Sequence, residues 1–490
     1  MAQIHELPAL DLAAAIRSGQ VSPTEVADHT LRRIESLDQH VGAFIHVAAD
    51  RALDDARAAE ATLAEASSGP GGAPDHRDLP PFLGVPVPIK DLNQVAGLPM
   101  RMGSAAFADN VAQLDDGIVS LLADAGTTMV GKTTTPEFGM PPYTEPDVGP
   151  TARTPWDLDR SAGGSSGGAG AAVAAGLVPA AQGSDGGGSI RIPASACGLV
   201  GLLPTRGRVS PGPYQTDGPG LGRNGVLTRT VRDTAALLDV LAVPRAGDIY
   251  RAPEQLGTFL AACDTPPARL RVGVLREPIS IGTDVHPEAL AAVDRAVTLL
   301  EGMGHETVEV GVPFAVEDWE AFQPVWATGA AAAPLDPAQE ELLVPLTRLL
   351  RERGKEVTGV EYASAITSMH LLTRRTAQVW AGVDVILSPT LSGPPAPVGS
   401  MRDDADPWQD FLDQRAFTPW TSTWNITGAA AISLPLHRAR VDDDGPELPF
   451  GVHLGGKVGS EALLLGLAAA LEEADPWPHV APAWERVDPR

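Results

Sequence analysis

Two serines stand in glycine clusters within one dense segment, Ala162 to Thr205, which reads AGGSSGGAGAAVAAGLVPAAQGSDGGGSIRIPASACGLVGLLPT. Glycine lets a backbone adopt positive φ and come close to a ligand. Gly186, Gly187 and Gly188 directly precede Ser189 and can aim several N–H groups into one concavity, as an oxyanion hole requires. The run Gly163-Gly164-Ser165-Ser166-Gly167-Gly168 sits at a helix start, where free N–H groups also point outward. The same glycines also fit a tight turn that packs small residues together, and glycine content does not choose between the two.

A serine hydroxyl is a poor nucleophile until a base takes its proton. The chain has only four lysines, Lys90, Lys132, Lys355 and Lys457. Lysine is a base only when neutral, so a site using it must lower its free pKa of about 10.4 by burial or nearby N–H dipoles. Lys90 ends the apolar run Leu83 to Ile89, which is consistent with burial. Asp91 would oppose that shift, but alternation along a strand directs it to the other face. Lys132 belongs to Gly126–Thr133, which matches the phosphate-loop pattern G-x-x-x-x-G-K-[ST]. That loop needs a strand before it and a helix straight after it. Here a helix precedes, the strand candidate lies inside the loop, and Pro136, Gly139, Pro141 and Pro142 follow, so nucleotide binding is not expected.

The elements that must position these groups alternate in type. Ser22-Pro23-Thr24-Glu25 is a capping box with proline at the first helical position. A second helix is predicted over Ala48 to Ala66, a loop over Ser67 to Pro81, and an edge strand over Leu83 to Ile89. Ile118 to Ala125, Arg232 to Leu241 and Pro287 to Met303 read as helices. Thr127 to Val130, Leu270 to Leu275, Val308 to Val310 and Val383 to Leu387 read as strands. An Ala/Val-rich helix is expected between the glycine clusters from Gly163 to Gly188. The stretch Pro313 to Tyr362 is Ala/Pro/Trp-rich and the least regular. The alternation indicates an α/β sheet with helices on its faces, in one domain.

Composition narrows the functions. A formal net charge of −26 repels phosphate backbones and anionic lipid, so neither nucleic acid nor a membrane is an expected partner. No secretory leader and no transmembrane run is predicted. Two cysteines, Cys197 and Cys263, suit a reducing cytoplasm, and Cys197 reads as a small core residue. The histidines lack metal-ligand spacing, so no metal and no cofactor is expected, and no G-x-S-x-G elbow supports a Ser-His-Asp site.

At the glycine clusters the chain closely resembles the amidase signature family, whose pattern is GGSSGG, an Ala-rich helix, then G-S-D-x-G-G-S-I-R-x-P-A. GVPVPIKDL around Lys90 looks like the family's lysine strand. SGQVSPTEV, GKTTTPEFG, LTRTVRD, DVILSPT and NITGAAAISLP extend the likeness over most of the chain, weakest from about 242 to 362. The resemblance implies one amidase domain over 1–490, with a large mixed central β-sheet flanked by helices on both faces. Its signature core would run from about 83 to 241 and its variable substrate-pocket region from about 313 to 425.

The resemblance further implies Ser189 as nucleophile and Ser165, held by a cis peptide bond, as bridging serine. Lys90 would be the base, and the N–H groups of Gly186, Gly187, Gly188 and Ser189 the oxyanion hole. Asp185, Arg191, Ser166, Ser184 and Gly164 are expected to support the loop, with substrate contact the alternative for Asp185 and Arg191. The implied activity is hydrolysis of amide-type small molecules through an acyl-enzyme: fairly apolar or aryl amides, cyclic amides, or carbamates (urethanes). A glutamine-hydrolysing subunit of a tRNA-dependent amidotransferase and an idle binding protein are the alternatives, and a homodimer is left open. Trp319, Trp326, Trp408, Trp420 and Trp424 are candidates for pocket walls or for core packing. The chain departs from the family at Ala162, Thr154 and Leu203, where proline, asparagine and lysine are common.

Overall fold

The computed structural model describes residues 3–67, 79–279 and 283–484. Ser22 Oγ accepts from the Glu25 N–H and the Glu25 carboxylate accepts from Ser22, so the capping box starts the helix Pro23–Val41 as expected. The helix Ala49–Ser67 follows; most of the loop expected after it, residues 68–78, lies outside the described residues.

Eleven strands are assigned among the described residues: β1 Phe44–Val47, β2 Ile89–Lys90, β3 Gly131–Thr133, β4 Ala180–Asp185, β5 Val200–Leu203, β6 Arg223–Thr228, β7 Arg271–Val274, β8 Glu306–Glu309, β9 Val385–Pro389, β10 Ala431–Arg440 and β11 Glu447–Gly455. Eight form a mixed sheet in the order β4-β6-β5-β10-β11-β9-β7-β8. Its pairs are antiparallel from β4 to β9 and parallel from β9 to β8. Helices cover both faces. On β11, Phe450 meets His286 beside the helix Pro287–Gly302, while Gly451 donates to Ser195 Oγ on the helix Arg191–Cys197. Successive strand residues point to opposite faces, so the two helices lie on opposite sides.

The small sheet β1-β3-β2 carries Lys90 at its edge. The expected strand from Leu83 shrinks to Ile89–Lys90, because the register slips by one residue between the Pro86–Thr128 bridge and the Ile89–Lys132 pair. Upstream only the bridge Pro86 to Thr128 forms, and the partner strand moves from Thr127–Val130 to Gly131–Thr133. Gln182 joins this sheet to β4: its N–H donates to Pro88 O, and its Oε1 accepts from the Lys90 N–H.

Two further expectations are corrected. The helix between the glycine clusters covers only Gly167–Ala174, and β4 takes up the rest. Small residues serve both, and the chain turns at Gly176 before extending. The stretch 313–362 is largely helical, with Phe322–Ala331, Pro337–Glu340 and Pro345–Glu356 running up to Gly359–Val379. Pro337 and Pro345 occupy first helical turns, where a missing N–H costs nothing, so they start helices rather than break them.

Candidate active site

Ser189 lies on the turn between β4 and the helix Arg191–Cys197, almost wholly buried at 9% exposure. Asp185, at the end of β4, organises that turn. Its carboxylate accepts from the N–H of Gly188 (2.7 Å) and Ile190 (3.2 Å), and from Arg191 Nε (2.9 Å) and Nη2 (3.0 Å). Burial alone would raise the Asp185 pKa, but Arg191, Asn425 and the backbone donors hold it well below the usual carboxylate range.

The arginine continues the network to Thr421 O (2.7 Å), Asn425 Oδ1 (2.7 Å) and His453 Nε2 (2.9 Å). A guanidinium only donates, so His453 Nε2 accepts and the neutral ring carries its proton on Nδ1. Burial, reinforced by Arg191, keeps His453 neutral. Asn425 Nδ2 donates to Asp185 O and Oδ1 and to Leu221 O, and Thr421 Oγ1 donates to Gly187 O. Asp185 and Arg191 are therefore fully occupied in shaping the loop.

Gly188 has φ +138°, and a Cβ there would fall 2.5 Å from Thr421 Oγ1, so this position requires glycine. Its N–H, expected in an oxyanion hole, donates to Asp185. Among the described residues, the N–H groups of Gly186, Gly187 and Ser189 have no acceptor within the protein.

Lys90 is fully buried, with Nζ 2.9 Å from Ser165 Oγ, 3.1 Å from Ser184 Oγ and 3.3 Å from Ser184 O. Burial lowers its pKa to about 7, against an opposing pull from Asp185. Asp91 faces away as expected, ion-paired to Lys132 at 2.8 Å and accepting from the N–H groups of Arg101 and Met102. The lysine of the phosphate-loop look-alike is thus a buried structural partner.

The Gly164–Ser165 peptide is cis. A Cβ at Gly164 would fall 2.7 Å from Tyr143 N, so the first glycine cluster packs backbone on backbone. Ser166 ties the two serine loops together. Its N–H donates to Ser189 O (3.2 Å), and its Oγ donates to Ser184 O and accepts from the Ser184 N–H. Ser184 has a second part beyond the expected loop bonding, because its hydroxyl also faces Lys90 Nζ.

Ser189 opens into a narrow cleft with apolar walls that include Met140, Pro142, Ile192, Phe322, Trp326 and Phe411. Trp326 faces Gly186 and Gly187, and Phe322 stacks on it at 5.2 Å. Trp408 stands behind the wall, stacked on Phe411. Trp420 and Trp424 are core residues instead, 0% and 2% exposed, and the Trp319 side chain lies outside the described residues. Sequence reasoning gave no role to Asn425, Thr421, Gln182 or His453. The NITG segment marks the neighbourhood of the first two, but nothing local signals the other two.

Among the described residues no group of three or more His, Cys, Asp or Glu could hold a metal, and no helix is long and apolar enough to cross a membrane. Burial pushes the Cys197 thiol up to about 12. At the departures from the family pattern, Thr154 Oγ1 donates to Ala196 O of the helix Arg191–Cys197, and Leu203 is an apolar core residue paired with Ala431.

Residues 25–465 match the family model described as Amidase. The chain is 38% identical over 474 residues to a putative amidase of Synechocystis sp., covering 95% of this chain and 88% of that one. A solved 6-aminohexanoate cyclic dimer hydrolase complexed with substrate superimposes with a TM-score of 0.88 at 30% identity, over 98% of this chain and 100% of the other. A bacterial aryl acylamidase of the amidase signature family gives a TM-score of 0.85 at 25% identity, over 99% of each chain. The chain therefore belongs to the amidase signature family and is an amidohydrolase acting on carbon–nitrogen bonds.

Proposed function

We propose that this amidohydrolase works through an acyl-enzyme on Ser189, with Ser165 as proton relay and Lys90 as base. The observation that carries the reading is the 2.9 Å hydrogen bond from a wholly buried Lys90 to Ser165 Oγ. With its pKa lowered to about 7, Lys90 is partly neutral at physiological pH and has a lone pair to offer.

Lys90 takes the Ser165 proton, Ser165 takes that of Ser189, and Ser189 Oγ attacks the carbonyl carbon. The unpartnered N–H groups of Gly186, Gly187 and Ser189 stabilise the oxyanion. The proton returns through Ser165 to the leaving amine as the C–N bond breaks, and water then cleaves the acyl-enzyme by the same route. The apolar and aromatic walls suit aryl amides; cyclic amides and carbamates pass through the same steps. The chain acts as one domain, its signature core supplying the reacting groups and its variable region the aromatic part of the substrate walls, Phe322, Trp326 and Phe411.

Incubation with a fluorophosphonate followed by peptide mapping tests the assignment. The adduct is expected on Ser189, with turnover of p-nitroanilides by the purified chain alone and none by Ser189→Ala. An adduct on another serine, or hydrolysis of glutamine that requires partner chains, refutes it.

A further inference from the structure

One cation of the cleft has no counterpart in the steps above. Arg415 lies on the helix Pro407–Phe417 and lines the same cleft as Ser189. Its Nε is buried and has no hydrogen-bond partner among the described residues. Glu320 attracts it from a distance, but the two do not close an ion pair. Arg223 also has an unpartnered Nε, but its terminal nitrogens and those of Arg191 are held by protein groups, whereas those of Arg415 are not among the described residues. Arg191 is tied to Asp185, Thr421, Asn425 and His453, and Arg223 to the carbonyls of Trp424, Asn425 and Ala429. Neighbouring polar groups on the Arg415 helix are also engaged: Gln414 Nε2 donates to Asp410 at 2.6 Å, and Thr418 Oγ1 to Gln414 O.

A half-buried guanidinium that no protein group satisfies is costly unless a ligand completes it. Its planar fork matches a carboxylate, with two parallel N–H···O bonds. The surface as a whole carries −26 and repels anions, so capture of one requires a local cation. We propose that Arg415 is a specificity residue that receives a carboxylate on the substrate, remote from the scissile bond. The substrate class is then an amide with an apolar or aryl body and one anionic end. This deepens the acyl-enzyme reading and rests on it for the identity of the cleft.

Binding tests the proposal without turnover. The full-length Ser189→Ala chain is titrated by calorimetry with valeranilide and with two acids of the same frame. Glutaranilic acid carries the carboxylate on the acyl side, and 4-carboxyvaleranilide carries it on the ring. At least one acid is expected to bind about 10- to 100-fold more tightly than the neutral anilide, the range of a charge-assisted pair. Added salt should narrow that ratio. Adding Arg415→Gln should bring the ratio to about one, and Arg415→Lys should restore part of it. Equal binding of all three ligands, or a ratio unchanged by Arg415→Gln, overturns the proposal. Failure of the wild-type chain to label at Ser189 would count against the acyl-enzyme instead and leave this binding result standing.

Discussion

On the Ser189 side the cleft is lined by the turn that follows β4, the helix Arg191–Cys197 and the helix Ser422–Thr427. On the opposite side stand the helices Phe322–Ala331 and Pro407–Phe417. The first wall is a closed polar network in which Asp185, Arg191 and Asn425 are each held by several partners and none reaches solvent. The second is held by rings: Phe322 on Trp326 at 5.2 Å, Trp408 on Phe411 at 5.3 Å, and Arg353 3.7 Å above Trp408. Directional bonds fix backbone N–H groups to fractions of an ångström, as oxyanion stabilisation demands. Ring packing is nearly non-directional and tolerates exchange of shape, so a substrate wall can change without moving the chemistry. The molecule thus separates the part that must be exact from the part that can vary.

Substitutions that strike only one wall separate the two roles. The largest effect is expected from Lys90→Ala, which should lower acylation about 10²- to 10⁴-fold, the contribution of a positioned general base. Because the folded pKa is depressed to about 7, the wild-type rate should rise with pH through that region as Lys90 loses its proton. The rising limb should disappear in Lys90→Ala, and Lys90→Arg should not rescue activity because a guanidinium stays charged. A retained pH profile with most of the rate intact would mean that another group activates Ser189. The same shift bears on stability. Between about pH 7 and the ordinary 10.5, the unfolded chain holds a proton that folded Lys90 does not, so its contribution to stability rises with pH across that window.

Asn425→Ala should come next. It strips Asp185 and Leu221 of a donor and Arg191 of an acceptor inside the buried network. Unsatisfied buried groups of this kind cost about 1–3 kcal/mol each, so urea unfolding should show a loss of about 2–4 kcal/mol. The rate should fall with every substrate alike, since the turn that carries the proposed oxyanion donors loosens. A purely substrate-dependent defect would blur the distinction between the walls.

The smallest effect is expected for Trp326→Ala on the ring wall. Aryl substrates should lose about 10-fold in kcat/KM, chiefly through KM, while fluorophosphonate labelling of Ser189 continues near the wild-type rate. Equal loss on labelling and on aryl turnover would show that Trp326 also holds the glycine turn.

Legibility in the sequence follows the same division. The capping box at Ser22, the helices near 118–125, 232–241 and 287–303, and the strand near 270–275 were readable because each depends on local caps or hydrophobic periodicity. The strand β4 was hidden inside a run of small residues that favours helix and strand alike, and only pairing with β6 selects the strand. The helices of 313–362 were hidden by prolines that read as breakers but sit at first turns, with Asp336–Gln339 and Thr358–Glu361 capping boxes beside them. The role of Trp326 and the core burial of Trp420 and Trp424 were undecidable locally, since a ring at helical spacing fits a pocket wall and a core equally.

By itself the sequence determined which residues could react. Ser165 and Ser189 stand in glycine clusters and Lys90 is one of four lysines, and the resemblance to the amidase signature family is what assigns them reacting roles. Tertiary structure alone decided their states. The proximity of Lys90 to Ser165 is a contact across 75 positions, and the burial that lowers its pKa comes from elements far along the chain. Tertiary structure also decided that Asp185 takes the Gly188 N–H, and that Asn425 and His453 complete the Arg191 network from more than 200 residues away. Local propensity acts through a few neighbouring residues, whereas desolvation and hydrogen-bond closure depend on every segment that packs around a group.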